Sequence, residues 1–312
     1  MCGCGGSTNQ LAIRIPATSA NLGPAFDCLA LALSLYNTFT VTVAESSSVT
    51  VCGEGADVLR GDERNMFFQA YRAAAELAGR DAPLLRVEAE NGIPIARGLG
   101  SSAAAIVAGT LAADELLSLQ WTPSEVLHSA LTLEPHTDNL VGALCGGLTA
   151  SINDEGDVRW LKLPPPAGLK AVLSVPAYEL ETVRARSVLP ATVPFADAVG
   201  NLARAVLLTA ALAGGEVARI RGMMSDRLHQ PYRAQLTPGA AEAIAAAQDA
   251  GALGAAVSGA GPTVIALATD GETQIERAME AAFAERGIQA RCFSVAVDAD
   301  GAQVSWREDA HQ

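Results

Sequence analysis

A chain of 312 residues, 50% of them hydrophobic, buries a large core, divides into two domains and is not a disordered polymer. Its formal net charge of −13 argues against a nucleic-acid surface and against a basic membrane-binding face. Among 21 lysines and arginines only Lys162 and Lys170 are lysines, and neither follows a glycine, which excludes a Walker P-loop.

Taken in order, residues 1–7 form a Gly-rich tip holding Cys2 and Cys4 and are predicted to be a frayed tail. No charged segment followed by an apolar run opens the chain, so no signal peptide is expected. Residues 11–15 have the pattern of a strand, and residues 16–24 that of a loop of small and polar residues. Asp27 then lies between Phe26 and Leu29, where a carboxylate caps a turn, is paired, or meets a ligand. Residues 38–43, 49–51 and 84–89 are predicted strands. Residues 66–77 are an amphipathic helix entered through Asp62-Glu63-Arg64-Asn65, and residues 103–117 have helical character. Thr122-Pro123-Ser124-Glu125 is a capping box with proline at the first helical position, opening a helix to about Leu133. Residues 148–152 and 158–163 suggest a hairpin, and Pro164-Pro165-Pro166 separates a domain 1–163 from a domain 164–312.

Beyond that boundary come a strand at 170–175, the neighbouring Arg184 and Arg186, an Ala/Leu-rich helix at 197–212, and a polar stretch at 226–233 that ends it. A helix runs from Thr237-Pro238 to Gly251. Strands at 255–257 and 263–267 flank a second Gly-rich turn, Ser258-Gly259-Ala260-Gly261-Pro262. A helix at 272–286 with Gly287 as C-cap and a strand at 291–297 complete a ferredoxin-like alternation. Residues 250–269 are uncharged over the length of a membrane span, but their glycines and Pro262 give helix end, strand, turn and strand instead. The six cysteines, at 2, 4, 28, 52, 145 and 292, form no Cys-x-x-Cys pair and no zinc framework. A soluble cytoplasmic protein with reduced thiols is expected.

Two stretches carry chemistry. In Arg97-Gly98-Leu99-Gly100-Ser101-Ser102-Ala103-Ala104-Ala105, two glycines and two serines stand at the mouth of a helix. Glycines permit positive φ and close approach of a ligand to bare backbone, the first helical N–H groups attract an anion, and the hydroxyls of Ser101 and Ser102 suit a phosphate oxygen or a metal ion. A phosphate cradle is one reading. A loose dinucleotide fingerprint, Gly98-x-Gly100-x-x-Ala103, and a simple Ser-capped turn are two others. The second stretch, Glu134-Pro135-His136-Thr137-Asp138-Asn139, is the densest polar cluster in the chain, lies in apolar surroundings, and is either a site or a helix cap.

Three segments together resemble the motifs of the GHMP kinases: Pro16-Ala17-Thr18-Ser19-Ala20-Asn21-Leu22-Gly23-Pro24, Gly98-Leu99-Gly100-Ser101-Ser102-Ala103-Ala104 and Ser258-Gly259-Ala260-Gly261-Pro262-Thr263. Within that family the chain is most similar to the homoserine kinase branch, through Asn21 with Phe26-Asp27, Asp138-Asn139, Thr182 with Arg186-Ser187-Val188-Leu189-Pro190, and Leu228-His229-Gln230-Pro231-Tyr232-Arg233. Mevalonate kinases carry an early lysine near the first motif, and none precedes Lys162 here.

The resemblance implies an α+β fold, with a ribosomal-protein-S5-like N-terminal domain, a ferredoxin-like C-terminal domain and the site between them. It implies transfer of the γ-phosphate of ATP to the side-chain hydroxyl of L-homoserine with Mg²⁺, and a possible homodimer. Pro94, Arg97, Gly98, Leu99, Gly100, Ser101, Ser102, Ala103 and Ala104 would hold the triphosphate, and Asn65 would lie near the adenine. Asn21 and Asp27 would meet the ammonium of the amino acid, Arg186 and Arg233 its carboxylate, with Thr182 alongside. His136 would touch the carboxylate or the hydroxyl, and Asn139 would stand near the reacting hydroxyl. Asp138 is an alternative base. Ser101 or Ser102, with Glu134, are the expected magnesium ligands. Pro135, Thr137, Ala25, Ala30 and Val141-Gly142 depart from the homoserine kinase pattern. The first two adjoin proposed site residues, which keeps L-threonine or another hydroxylated metabolite open as substrate. A nucleotide and metabolite sensor without turnover, and a nicotinamide-dependent oxidoreductase, are the remaining alternatives.

Overall fold

The computed structural model describes residues 10–59 and 61–307, so the Cys2–Cys4 tip lies outside the described residues. The first half runs β1 (Gln10–Ala20), β2 (Leu29–Val43), β3 (Ser48–Gly53), α1 (Met66–Leu77), β4 (Leu85–Asn91), α2 (Ser101–Leu117), α3 (Pro123–Ala130), α4 (Thr137–Cys145), β5 (Leu148–Asp154) and β6 (Asp157–Leu163). Strict alternation makes β4 a strand with one wet face, Leu85, Val87 and Ala89 pointing inward between exposed Arg86, Glu88 and Glu90. Asn65 caps α1 by accepting the Phe67 N–H, and the helix buries Phe67, Phe68 and Tyr71. The capping box between Thr122 and Glu125 forms as expected.

The loop expected at 16–24 is shorter than the composition suggests, because β1 continues to Ala20. The register against β2 shifts between Pro16 and Ala17, and pairing then resumes from Ala17↔Leu33 to Ala20↔Ala30. A bulge at a proline is the ordinary way for a strand to tolerate a residue that cannot donate to the ladder.

The second half runs β7 (Lys170–Pro176), α5 (Thr182–Ser187), α6 (Phe195–Ala213), α7 (Gln230–Arg233), α8 (Ala240–Asp249), β8 (Gly254–Val257), β9 (Val264–Ala268), α9 (Glu272–Glu285) and β10 (Ala290–Ala296). Its four strands stand in the order β10-β7-β9-β8, all antiparallel, which is the ferredoxin-like arrangement. Its core between sheet and helices contains Val172, Val264, Ile275, Met279 and Phe283. Residues 250–269 are helix end, strand, turn and strand. Among the described residues α6 is the helix long and apolar enough to cross a membrane. It packs on the first half through buried Asn201, whose amide donates to the Pro24 carbonyl at 2.7 Å, while Phe195, Leu202 and Val206 face outward.

One strand lies beyond those expected. β11 (Gln303–Arg307) pairs antiparallel with β1, from Gln10↔Arg307 to Arg14↔Gln303, and the first sheet is ordered β11-β1-β2-β4-β3 with β5 and β6 attached through β2. The chain expected to stay in a C-terminal unit 164–312 therefore returns to the first sheet. The return is stitched down by Asp298. Its backbone N–H donates to Ala32 O, its Oδ2 accepts from the Tyr36 hydroxyl, and its Oδ1 accepts from the Gly301 N–H. Lys162 Nζ adds bonds to the carbonyls of Cys145 and Ala299.

Candidate active site

A cleft of about 310 Å³ opens between the two halves. Asn21, Asp27, Pro94, Arg97 through Ala103, Glu134, His136, Asp138, Asn139, Thr182, Arg186 and Arg233 all line it, brought together from both halves of the chain. Asn65 lines a second cleft of about 370 Å³ that shares Ala96, Ser101 and Ser102 with the first. Ala104 lines neither. It is fully buried and its N–H closes the first helical turn onto Gly100 O, so it has no donor left for a phosphate.

The cradle is a loop pinned on three sides. Gly98 and Gly100 both have φ near +73°, and Gly100 is the left-handed residue from which α2 starts. The loop is anchored to β1 by the Thr18 N–H on Leu99 O at 3.1 Å. It is anchored to the second half by Ser258 Oγ, which donates to Gly98 O at 2.7 Å. Arg97 departs from its expected role. Its guanidinium donates to the carbonyls of Ile95, Pro176 and Ala177 and stands 3.3 Å from Glu179. Three of its five N–H donors thereby fasten the loop, to Ile95 within the same segment and to Pro176 and Ala177 of the second half, while the residue still lines the cleft. What remains for an anion is the open end of α2, with Ser101 and Ser102 beside it.

A second part of the cleft lining gathers charge. Asn21, Leu22 and Asp27 all adopt left-handed φ, a concentration of backbone strain that a purely structural turn rarely keeps. Asn21 holds the turn, donating to Gly259 O at 2.8 Å and accepting from the Asp27 N–H at 3.0 Å. Asp27 and Arg186, expected at opposite ends of the substrate, meet each other in a bidentate pair of 2.6 and 3.0 Å. Arg186 Nε is buried without a protein partner. Arg233 is 1% exposed. Its Nε donates to Ala185 O, and one terminal nitrogen donates to Gly259 O and His229 Nδ1. Burial and then the neighbouring Arg186 pull its pKa down to about 10, so it stays a cation. Two arginines held this close favour an anion between them.

Three side chains that shape the site carried no assigned role in the sequence. The Phe26 ring lies 5.3 Å from both the Arg186 and Arg233 guanidinium carbons and stacks on His229 at 4.9 Å. His229 is fully buried. Its Nδ1 accepts from Arg233, so Nε2 carries the proton and donates to Gly23 O at 2.9 Å. Burial first of all pushes its pKa down, which keeps this tautomer neutral. The stretch 226–233 thus sends His229 and Arg233 into the interior, and the His–Arg spacing of four was the available signal. The third side chain, Thr18, donates to Asn139 Oδ1 at 2.7 Å.

The polar cluster at 134–139 lines the cleft through Glu134, His136, Asp138 and Asn139 and also starts a helix. His136 is the N-cap residue of α4, without a side-chain capping bond, and its ring Nδ1 pairs with Glu134 Oε1. Burial pushes the Glu134 carboxyl up, but the hydrogen bonds from the His136 ring and N–H outweigh it and hold the carboxyl below its usual range. Asp138 is 3% exposed and accepts the Asn139 N–H at 2.7 Å. Burial, and next the charge of Asp27, push its carboxyl up to about 6. Among the described residues no three acidic, histidine or cysteine side chains cluster as a self-sufficient metal cage.

The chain matches the GHMP kinases N terminal domain over residues 65–147 and the GHMP kinases C terminal domain over residues 208–285. It is 42% identical over 292 residues to the homoserine kinase of Moorella thermoacetica, spanning 94% of this chain and 99% of that one. The chain belongs to the GHMP kinase family. This GHMP kinase is also 42% identical over 294 residues to the homoserine kinase of Deinococcus radiodurans, across 94% of its own length and 96% of the relative's. Its fold superimposes on the crystal structure of homoserine kinase from Cytophaga hutchinsonii with a TM-score of 0.85 at 29% identity, covering 95% and 97% of the two chains. The two-domain α+β architecture implied by the three motifs is the family's own, and the dinucleotide reading of Gly98-x-Gly100 falls away.

Proposed function

We propose that this GHMP kinase transfers the γ-phosphate of ATP to the side-chain hydroxyl of L-homoserine, yielding O-phospho-L-homoserine for threonine biosynthesis. One observation carries the substrate choice. A single cleft is lined both by the N-terminal end of a helix with its Gly-rich loop and by a carboxylate with two arginines, the complement of a zwitterionic amino alcohol facing a triphosphate. The departures at Pro135 and Thr137 do not reach that cleft. Thr137 is buried and its hydroxyl pairs with Ser151 at 2.9 Å, so it packs α4 on β5. The four described thiols are unpaired, which accords with a reducing compartment such as the cytoplasm.

In the reaction, the α2 N-terminus and the loop amides hold the phosphates while the Asp27–Arg186–Arg233 end orients the amino acid. Magnesium fits a donor set of Ser101 or Ser102 hydroxyls with Glu134, whose described contacts all use Oε1, and bound there it would neutralise charge on the transferring group. Asn139 directs a hydrogen bond at the reacting end. No general base is needed, because a loose phosphoryl transition state draws its stabilisation from placement and charge. The test is ADP release with Mg·ATP in the presence of L-homoserine, L-threonine, L-serine or mevalonate. Homoserine is expected to win by orders of magnitude in kcat/KM. A preference for threonine would move the substrate within the family, and nucleotide binding without turnover of any of the four would favour a sensor.

The alternative base is checked by Asp138→Asn. The amide oxygen can still accept the Asn139 N–H, so kcat is expected to stay within about tenfold, whereas removal of a true general base costs about 10²- to 10⁴-fold. The same variant has a pH signature. A carboxyl raised from 3.8 to about 6 by folding stabilises the fold only while protonated. That stability is full below about pH 4 and is lost as pH rises through about 6. Asp138→Asn should therefore gain stability over wild type, on the order of 3 kcal/mol at pH 8, shrinking towards zero at pH 4 in thermal melts. An advantage independent of pH would mean that the Asp138 carboxyl titrates alike in the folded and the unfolded chain.

A further inference from the structure

We propose that Thr18 is a positioning residue for phosphoryl transfer, registering the Asn139 amide against the phosphate cradle. The inference rests on the kinase reading above. Thr18 is fully buried and does not line the cleft, so it can act only through a neighbour. That neighbour is Asn139, whose Oδ1 accepts from Thr18 Oγ1 at 2.7 Å.

The orientation of the amide follows from its two flanks. Asn139 Nδ2 faces Asp138 Oδ1 at 3.4 Å, and an ionised carboxylate can only accept. The amide nitrogen therefore lies on that side and the oxygen on the Thr18 side, which makes the threonine hydroxyl the donor. With its oxygen taken, Asn139 presents an N–H to the cleft that it lines. Buried from solvent, the hydroxyl has no competing water and holds the amide plane firmly.

Thr18 also ties this amide to the loop that holds the phosphates. Its N–H donates to Leu99 O at 3.1 Å. A Cβ placed on Gly100 would fall 2.1 Å from Thr18 Oγ1 and 3.2 Å from Asn139 Oδ1, so the loop, the hydroxyl and the amide are in mutual contact. The methyl Cγ2 packs against α4, within 3.0 Å of where a Cβ would stand at Gly142. One residue of β1 thus sets the distance between the phosphate cradle and the donor at the reacting end. In a site without a required base, that distance governs kcat.

Thr18→Val removes the hydroxyl at nearly constant shape, and Thr18→Ser keeps it. With the acceptor alcohol that the wild type turns over fastest, Thr18→Val should lower kcat about ten- to a hundredfold, the scale of a small misplacement. The KM values for acceptor and for Mg·ATP should stay within about twofold, and Thr18→Ser should keep most of kcat. In an Asn139→Ala background, Thr18→Val should have no further effect. A readout independent of turnover is the Asn139 side-chain amide pair in ¹⁵N correlation spectra, assigned by its loss in Asn139→Ala. The pair should move towards solvent-like shifts in Thr18→Val and stay in place in Thr18→Ser. Full kcat in Thr18→Val, an equal loss in Thr18→Ser, undiminished effect without Asn139, or an unmoved amide pair would each overturn the proposal. Failure of the homoserine reading shows instead as a wild type that prefers another alcohol, and the amide readout stands regardless.

Discussion

Gly98→Ala is expected to lose at least about a hundredfold in kcat/KM for ATP, with a matching rise in the nucleotide dissociation constant. Two effects coincide at this residue. Its φ of +73° is one that a residue with a Cβ occupies at a cost of about 1–2 kcal/mol. The added carbon would also lie 2.2 Å from Ser258 O and 2.9 Å from the backbone N and O of Gly261. Those are main-chain atoms of a buried turn and have no rotamer by which to retreat. The loop must therefore move, breaking the Ser258–Gly98 bond that fixes the cradle on the second half. Gly156→Ala is the control, since φ is +95° there and nothing stands within 4 Å. It should show the strain alone in a melt and wild-type kinetics. Wild-type nucleotide affinity in Gly98→Ala would mean that the loop is not the phosphate site.

Arg186→Ala is expected to cost about 30- to 3000-fold in kcat/KM for homoserine, the range for truncating one partner of a partly buried charge pair. The side chain forms both bonds to Asp27 and, like Arg233, stands 5.3 Å from the Phe26 ring. Its removal takes away a cation for the substrate carboxylate and leaves Asp27 without its fork. Arg186→Lys should recover little, because a single ammonium cannot replace two parallel N–H donors. The pair Asp27→Asn with Arg186→Gln separates substrate binding from simple fastening. If the two charges grip the zwitterion, the neutral double variant is at least as impaired as either single one. If they only strap the halves together, the double variant regains activity, and the clamp idea is lost.

Much of this architecture is written locally in the chain. α1, β4 and the α3 capping box follow from periodicity and capping residues, and the structure has them where those signals stand. The left-handed turns at Gly98 and Gly100 were legible because glycine is the residue that adopts positive φ without a Cβ penalty. What local pattern could not supply is partnership over distance. Residues 17–20 look like loop because small polar residues carry no strand signal, and they are strand because β2 and the phosphate loop lie on either side. His229 and Arg233 look like surface polar residues, yet they are interior because Gly23, Ala185 and Gly259 supply carbonyls from remote segments. Asp27 and Arg186 were separately recognisable as ligand groups, but their mutual pairing exists only across 159 positions of chain. β11 is five residues long, and its reason to be a strand is the free edge of β1.

That last pairing governs how the molecule is made. When residue 163 leaves the ribosome, the N-terminal sheet has six of its strands, and the outer edge of β1 is still a row of unpaired backbone groups open to another chain. Domain-by-domain maturation during synthesis, the usual route for a two-domain chain, stops one strand short here. Only after residue 307 has emerged can β11 seat on β1, so the two halves complete each other in a single late event. Loss of the closing strand would expose nascent or damaged chains through the Gln10–Arg14 edge of β1.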